Sequence, residues 1–338
     1  MKGLTKGLGN SSDLNEIKNP NDIKKILICR PNHRLGNQLL ITPLLQEVLT
    51  VFPNSKIDLF VKGNVSDIIF EGYTEIHEII RLPKKHFKQL YRYVYCWLKI
   101  KMKRYDLVVN VVSNSSSGRL MTKFANASYK CYGDEISQDA QELLEDYPHI
   151  AKKPVYNFRN FLKHSGVVFK EVPPFMLDIR LSASEIANGH QVLKSYVSCT
   201  KPVICLFTNA TGAKCYSEKW WLALHKAFKE TYSNYDFIEI LPADGNSRIA
   251  FKEPSYYSHD IREIASVIAN CVLFVGSDSG IMHLASASKT NVIGLFQVTS
   301  PQMYAPYGNS SLGINTNDTD TKGIIAIMDQ IFSENNKN

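Results

Sequence analysis

No apolar run in the sequence approaches the ~20 residues that a membrane-spanning helix needs. The opening residues 1–22 also lack the apolar core of a secretory signal, and their polar composition predicts a flexible leader. Cysteine is scarce too: the seven cysteines are scattered, odd in number and without any pair at metal-ligand spacing. These absences favour a cytoplasmic protein with reduced thiols and argue against a membrane-spanning, disulfide-stabilised or zinc-binding class.

Two common phosphate-binding signatures, the P-loop and the GxGxxG turn, are absent from the sequence. The segment Asn317–Asp320 does offer two aspartates in the D-x-D arrangement found in some metal sites. Because it stands immediately before an apolar periodic stretch, we interpret it as the cap of the last helix. We therefore expect a site that works without a metal ion and without a bound cofactor.

Acidic residues are missing from one long stretch, 84–104, which carries eight Lys or Arg side chains. The whole chain has a net charge of +7, so this stretch supplies much of the excess. Aromatic and aliphatic residues are interleaved with the cations, as is typical of a basic amphipathic helix. Two interpretations stay open, an ordinary surface helix with its aromatics in the core or contact with an anionic membrane surface. No nucleic-acid recognition module is visible, so we expect no nucleic-acid partner.

Alternating strands and helices fill the rest of the 338 residues, of which 44% are apolar, enough for two domains with full cores. Strand-like runs stand at 24–30, 56–62, 105–112, 127–133, 202–208, 236–243, 271–275 and 292–296. Helical periodicity is found at 36–53, 138–166, 217–232, 260–270, 281–288 and 320–332. We predict an α/β chain with parallel sheets in domains 23–170 and 171–338, and ligands at the carboxyl ends of the strands. The last helix either stays with the second domain or packs back on the first.

One strand–turn–helix segment, which begins at Phe274, concentrates polar groups around a tight turn. The free N–H groups at the start of its helix favour an anion, most simply a phosphate, and Gly280 permits close approach to the backbone. Asp278 or Ser279 can cap the helix, and His283, one turn further, can donate to a phosphate oxygen. On these residues alone, a capped helix with a core histidine and no ligand fits equally well.

This segment resembles the C-terminal signature of the ADP-heptose:lipopolysaccharide heptosyltransferases, which form glycosyltransferase family 9. The family pattern is an apolar strand, G-x-D-[ST]-G-x-x-H-x-A-[AS], a second strand, and Phe-Gly-x-Thr before a proline-containing loop. The matching residues are Gly276, Asp278, Ser279, Gly280, His283, Ala285, Phe296, Thr299 and Pro306, while Gln297 replaces the usual glycine.

Three further stretches resemble the family in the expected order, so the resemblance covers most of the chain. "KILICRPNHRLGNQLLITPLLQEV" is similar to the family's opening strand, Gly-rich turn and T-P-x-L helix, and "RYDLVVNV" to its Y-D strand. "FTNATGAKCYSEKWW" is similar to the donor loop and the K-x-W motif, with Lys219 and Trp221 in place. Leu222 stands where the family usually has proline.

The resemblance implies a GT-B fold, in which two facing Rossmann-like domains with parallel sheets enclose a cleft, the acceptor lies on the first domain and the donor on the second. It implies an enzyme that transfers a sugar, heptose from ADP-heptose, with inversion and no obligatory metal. The partners would be a nucleotide sugar and a lipopolysaccharide core or similar glycolipid, at the inner face of the inner membrane. The candidate binding residues are Gly36, Thr208, Thr211, Gly212, Asp278, Ser279, Gly280 and His283.

Lys219 is the candidate for stabilising the charge that develops on the leaving diphosphate, together with the Ser279 and Gly280 amides and His283. Simpler interpretations stay open for these residues. Lys219 can be a solvated surface lysine, and Thr208 and Thr211 can be residues that only stabilise a turn.

The chain departs from the family at Asn37. The family has Gly-Asp at this place, and its acid is expected to deprotonate the acceptor hydroxyl, whereas this chain has Gly36-Asn37. An amide cannot accept a proton at neutral pH. His33 lies in the same loop and titrates near neutrality, so it is the candidate base, with an exposed loop histidine as the simpler alternative.

The function that the sequence favours is an inverting family 9 glycosyltransferase. Two alternatives remain because of Asn37. One is a catalytically degenerate sugar-nucleotide-binding protein of the same fold. The other is a GT-B isomerase or hydrolase that acts on a sugar nucleotide.

Overall fold

Contacts within the chain divide it between Phe175 and Met176 into two units. A computed structural model describes residues 16–83 and 89–335. Of the predicted leader, residues 1–15 lie outside the described part. Its last residues are held to the first unit, because Ile17 is buried and its N–H donates to the Ser165 carbonyl at 2.9 Å.

The first unit is built on a five-stranded parallel sheet. Its strands are β1 (Lys25–Arg30), β2 (Lys56–Lys62), β3 (Ile76–Leu82), β4 (Arg104–Asn110) and β5 (Asn126–Cys131), in the order β3-β2-β1-β4-β5. Its helices are α1 (Leu35–Leu39), α2 (Thr42–Val51), α3 (Val65–Ile69), α4 (Leu90–Met102), α5 (Ser116–Phe124), α6 (Gln138–Glu142) and α7 (Lys153–His164). Because the strands are parallel, their carboxyl ends share one edge of the sheet.

The second unit has a six-stranded parallel sheet. Its strands are β6 (Val203–Phe207), β7 (Asp236–Ile240), β8 (Ser255–Tyr256), β9 (Leu273–Ser277), β10 (Val292–Phe296) and β11 (Leu312–Asn315), in the order β11-β10-β9-β6-β7-β8. Its helices are α8 (Ala183–Tyr196), α9 (Glu218–Thr231), α10 (Ile261–Ala269), α11 (Gly280–Ala287), α12 (Pro301–Tyr304) and α13 (Thr321–Asn335). This is the strand order of a dinucleotide-binding Rossmann sheet.

The helix predicted over 36–53 is broken into α1 and α2. Pro43 lies in the first turn of α2, where its missing N–H costs nothing, and its ring is incompatible with a continuous helix through Leu39. The Thr42 hydroxyl donates to the freed Leu39 carbonyl at 2.8 Å. The polar stretch 113–118 already contains the start of α5, since Ser115 accepts from the Gly118 N–H and caps that helix.

Sequence periodicity did not identify β3 and α8. β3 has only two buried residues, Ile80 and Leu82, because it is the edge strand of its sheet and most of its side chains reach solvent. α8 is polar and contains Gly189, yet it begins with a capping box in which Ser182 and Glu185 cap each other's backbone N–H. That S-x-x-E spacing is the signal by which the helix could have been found.

The core of the second unit is aromatic, with Trp221, Phe228 and Phe237 all fully buried. The last helix, α13, packs into this core through Ile324 and Met328. No helix in the described ranges combines the length and apolarity that crossing a bilayer requires. The basic stretch predicted over 84–104 contains α4, while residues 84–88 lie outside the described part.

Candidate functional site

The second sheet reverses its order between β6 and β9. From β6 the chain runs outward through β7 and β8, then crosses to β9 and runs outward the other way. The connections leave the carboxyl ends of these two strands in opposite directions, and the opening between them is where ligands bind in such sheets. Thr208 follows β6 here and Asp278 follows β9, so two of the predicted site residues lie at this point.

The turn after β9 leads directly into α11. Ser279 is the N-cap, in extended conformation, and its side chain accepts from the Met282 N–H at 3.2 Å. Helix geometry leaves the first N–H groups of α11, at Gly280 and Ile281, without intrahelical acceptors. These groups and the helix dipole favour an anion. His283 is buried in the first turn of the same helix.

A charged cluster stands beside this helix start. The Asp278 carboxylate is almost fully buried, and its Oδ2 accepts from Lys214 Nζ at 3.0 Å and from the Thr299 hydroxyl at 2.6 Å. Lys214 follows β6 in the chain, and Thr299 follows β10. The carboxylate thus draws the loops after two neighbouring strands to the beginning of α11 and fixes the position of the lysine ammonium.

Lys219, the lysine assigned from the K-x-W match, is placed differently. It is exposed in the first turn of α9, whereas Trp221 is fully buried against the sheet. Two residues along a helix turn the chain by ~200°, so Lys219 faces away from the side that Trp221 buries. The structure therefore brings Lys214, and not Lys219, to Asp278.

Gln297 fixes the loop that carries Lys214 at the residue just before the lysine. The Gln297 amide donates to the Ala213 carbonyl at 2.9 Å, and the Gln297 carbonyl accepts from Asn317 Nδ2 at 3.0 Å. Gly212 has a φ of +63°, which only glycine adopts without strain. Gln297, at the family's usual glycine, is here a residue that positions the lysine loop.

Thr208 is fully buried, and its hydroxyl donates to Glu239 Oε1 at 2.6 Å. Ser247 donates to Glu239 Oε2 at 2.6 Å, and the Arg248 N–H donates to the Thr208 oxygen at 3.1 Å. Burial raises the pKa of the Glu239 carboxyl above its usual range. Thr208 thus joins the loops after β6 and β7, while Thr211 is exposed in the following loop.

The first unit presents its own polar group at the carboxyl end of β1. Arg30 Nη2 donates to Asn37 Oδ1 at 3.1 Å, and Gly36 is buried beside Asn37 in α1. Arginine has only donors, so the oxygen of the Asn37 amide must face it, and the amide NH₂ is left to donate elsewhere. His33 is exposed in the same loop.

The predicted D-x-D segment is confirmed as a helix cap. Asp320 Oδ1 accepts from the Gly323 N–H at 2.9 Å at the start of α13. In the part of the chain that the structure describes, no group of three His, Cys, Asp or Glu side chains is arranged to hold a metal ion. The cationic charge beside α11 comes from Lys214.

Residues 258–323 match the sequence profile of glycosyltransferase family 9 (heptosyltransferase). The chain is 24% identical over 316 residues to lipooligosaccharide heptosyltransferase 2 of Haemophilus influenzae, covering 85% of this chain and 87% of that protein. It is 23% identical over 311 residues to lipopolysaccharide heptosyltransferase 2 of Salmonella typhimurium, covering 85% and 86%. These matches support the resemblance of the chain to glycosyltransferase family 9, the heptosyltransferases.

Two solved structures share the fold of this chain. A family 9 glycosyltransferase of Veillonella parvula matches with a TM-score of 0.71 at 15% identity, covering 92% of this chain and 97% of the other. ADP-heptose lipopolysaccharide heptosyltransferase II of E. coli matches with a TM-score of 0.66 at 15% identity, covering 92% and 99%. The predicted α/β class, with two parallel Rossmann-like sheets of the GT-B type, is confirmed.

The stretch that matches the family 9 profile contains the turn before α11 and Thr299, but not Lys214. Sequence reasoning did not single out Lys214, because the K-x-W motif drew attention to the second lysine of "KCYSEK". The signal that could have found it is position: Lys214 lies in the loop directly after a strand, where a parallel sheet collects its ligands.

Proposed function

We propose that the chain is an inverting glycosyltransferase that moves a sugar from a nucleotide diphosphate to a lipopolysaccharide core or a related glycolipid. The observation that carries the proposal is the cluster between β6 and β9, where the Lys214 ammonium is held at the start of α11. The names of the relatives, which are heptosyltransferases, support heptose as the sugar, and the resemblance to the family implies ADP-heptose as its donor. With such an acceptor, the enzyme would work from the cytoplasm at the inner face of the inner membrane.

On the donor side, the reaction requires stabilisation of the diphosphate as the bond to the sugar breaks. The leaving group gains negative charge, and preorganised donors that face it lower the barrier. We assign this role to the Gly280 amide and the Lys214 ammonium, with His283 as a further donor. Asp278 acts as a positioning residue: a buried carboxylate repels a phosphate, but it holds Lys214 in place.

On the acceptor side, Asn37 can orient the acceptor hydroxyl but cannot take its proton. Arg30 holds the amide oxygen, so the NH₂ group is the part that can donate to an acceptor oxygen. A separate base is then needed, and we assign it to His33, which lies four residues upstream in the same loop.

The experiment that tests the proposal titrates ADP-, GDP-, UDP- and dTDP-sugars into the purified protein by calorimetry, then assays transfer to a lipopolysaccharide core acceptor. We expect one nucleotide sugar to bind and the sugar to reach the acceptor with inverted anomeric configuration. Donor binding without any transfer supports the degenerate binding protein instead. Release of free sugar or an altered sugar nucleotide, with no acceptor present, supports the isomerase or hydrolase.

A further inference from the structure

Helix α4 has two apolar faces, and only one of them is covered. Cys96, Trp97 and Ile100 pack against the sheet of the first unit. The opposite face consists of apolar or aromatic side chains with exposed fractions from 47% at Val94 to 78% at Met102. Its members are Leu90, Tyr91, Val94, Tyr95, Leu98 and Met102.

These six side chains, called here the outer stripe, form a continuous band. At ~100° per residue they fall within an arc of about 140° on the helix surface. Exposed apolar residues are ordinarily scattered singly over a soluble protein, and a contiguous band marks an interaction surface. The outer stripe has this contiguity, so it calls for a partner that covers it.

Cations border the outer stripe on one side, and one further cation lies within its opposite edge. Arg92 and Lys99 lie at about 180–200° on the same wheel, just beyond Tyr95, and Lys101 lies at about 20°, next to Leu90. Arg92 and Lys101 are exposed, whereas Lys99 is paired with Glu78. Long basic side chains beside an apolar band can keep their charges in water at headgroup level while their stems cover apolar surface.

The positive charge continues beyond the end of the helix. A pocket of about 450 Å³ opens beside Met102, and its cationic lining is formed by Lys25, Lys56, Lys103 and Arg104. The acid in its lining is Asp58, whose Oδ2 accepts from Lys103 Nζ at 2.6 Å and whose Oδ1 lies 3.2 Å from His77 Nδ1. Lys25, Lys56 and Arg104 are exposed, so they can face an anion outside the protein.

We propose that α4 docks on a membrane that contains anionic phospholipid. The outer stripe enters the headgroup–acyl boundary, while Arg92, Lys101 and the cations of the Met102 pocket contact lipid phosphates. Charge complementarity selects this occupant, because cations lie along an apolar band that holds two tyrosines, which favour the wet edge of a bilayer. A protein partner or a second copy of the chain is a separate outcome of the test. The proposal does not depend on the transferase activity.

Vesicle sedimentation of the full-length protein tests the docking. We expect binding to vesicles of phosphatidylcholine with phosphatidylglycerol, weak binding to phosphatidylcholine alone, and loss of binding as salt is raised. Tyr95→Ser combined with Leu98→Ser is expected to lower the partition coefficient at least tenfold. Leu143→Ser, an exposed leucine of the same unit outside the outer stripe, is the matched control and should keep wild-type binding.

Charge is tested with Arg92→Glu combined with Lys101→Glu, which should lower binding to the anionic vesicles by tenfold or more. The control, Lys18→Glu with Lys170→Glu, makes the same charge change at exposed lysines of the first unit. A tryptophan probe reports insertion directly: emission of Leu98→Trp should shift to the blue on anionic vesicles, and that of Leu143→Trp should not.

Equal binding of the outer-stripe variant, the charge variant and wild type to the anionic vesicles would overturn the proposal. Failure of wild type to bind the anionic vesicles would also overturn it. If the serine variants abolish self-association in sedimentation velocity but leave vesicle binding unchanged, the outer stripe joins two copies of the chain and membrane docking is refuted. Because all substituted residues are exposed, circular dichroism should match wild type for each variant, which separates loss of docking from loss of fold.

Discussion

At the scale of single residues, Lys214 and Lys219 differ in the direction that their side chains take. They are five positions apart, but Lys214 lies in a loop that ends at the helix start, while Lys219 points outward from α9. Lys214 differs from Lys219 in that it lies at the carboxyl edge of the sheet and pairs with a buried carboxylate, Asp278. A motif match alone cannot make this distinction, since each lysine lies within two residues of an aromatic residue in the sequence.

We predict that Lys214→Ala lowers kcat/KM by on the order of a hundredfold, the scale of losing one preorganised electrostatic contact. Lys219→Ala is the matched control and should stay within about twofold of wild type. The measurement is steady-state kinetics with the donor found by calorimetry. A near-wild-type Lys214→Ala combined with a strongly impaired Lys219→Ala would return the role to the K-x-W lysine.

Asn37 and His33 give a prediction on pH. If His33 is the base, kcat/KM rises with pH through ~6.5, because only the neutral imidazole accepts the proton. His33→Ala should then cost ~10²–10⁴-fold. Asn37→Asp should keep activity level or raise it, since a carboxylate beside Arg30 stays ionised at neutral pH and restores the family's acid.

The pH–rate profiles of wild type, His33→Ala and Asn37→Asp provide the check. An unchanged profile in His33→Ala removes His33 from the mechanism. An inert wild type with an active Asn37→Asp identifies the natural chain as a sugar-nucleotide-binding protein.

At the scale of elements, the contact between α8 and α10 holds the extended segment before α8 to the second unit. Arg262 is buried, and its guanidinium donates to both Glu185 oxygens and to the carbonyls of Ile179 and Arg180. The two helices approach closely at Gly189, where a Cβ atom would stand 2.4 Å from the Ser266 backbone. These contacts of Arg262, called here the arginine clamp, and the close packing at Gly189 therefore hold α8 in place, although the helix lacks a regular apolar face.

This clamp predicts a pH-dependent stability. The Arg262 guanidinium holds the pKa of Glu185 at about 2, below its ordinary 4.5. The stabilisation is therefore complete above pH ~4.5 and is lost as the pH falls toward 2. Glu185→Gln keeps the capping box but removes the charge, and leaves Arg262 uncompensated. Since Glu185 is partly exposed, we expect a loss of about 2 kcal/mol at pH 7.

Urea unfolding at pH 7 and pH 3 measures this effect. The difference between Glu185→Gln and wild type should shrink at pH 3, because the carboxyl of the unfolded wild-type chain is then mostly protonated while that of the folded chain is still mostly ionised. Glu230→Gln, in an exposed pair 3.8 Å from Lys226, is the control and should change stability by less than about 0.5 kcal/mol. A constant difference at both pH values would mean that the ion pair does not contribute.

At the scale of the whole molecule, both units repeat one arrangement. In each, the chain runs outward from its first strand and then crosses to the other side, between β1 and β4 or between β6 and β9. Arg30 and Asn110 end the first pair of strands, and Thr208 and Asp278 follow the second pair. Each unit thus has its own point where the strand order reverses, and the cluster of Lys214, Asp278 and Thr299 belongs to the second.

Hydrogen exchange tests this division. A bound nucleotide sugar should slow amide exchange in three segments of the second unit, 208–214, 278–283 and 297–299, because it contacts or immobilises the ends of β6, β9 and β10. Peptides that cover 30–38 in the first unit should change little with donor alone. Protection confined to the first unit would contradict the placement of the donor. The free sugar without nucleotide serves as the control.

The order of strands and helices and the strand–turn–helix around Gly280 were predictable from the sequence. They depend on short-range patterns: apolar runs between turns, and a glycine and hydroxyl at a helix start. The resemblance to the family, which rests on several motifs in the expected order, allowed the fold to be predicted as well. The edge strand β3 and the polar helix α8 were not predictable from periodicity, because neighbours elsewhere in the chain stabilise them.

Only the tertiary structure determined which side chains are buried, which are paired and which remain exposed. Thr208 looked like a ligand contact, but Glu239, thirty-one residues away, takes its hydroxyl. Lys214 is held at the start of α11 by Asp278, sixty-four residues away. In the sequence the apolar residues of α4 look alike, yet Ile100 is buried and Leu98 is exposed. A residue's neighbours along the chain determine its backbone, whereas its burial, charge partner and access to ligand depend on residues that only folding brings near.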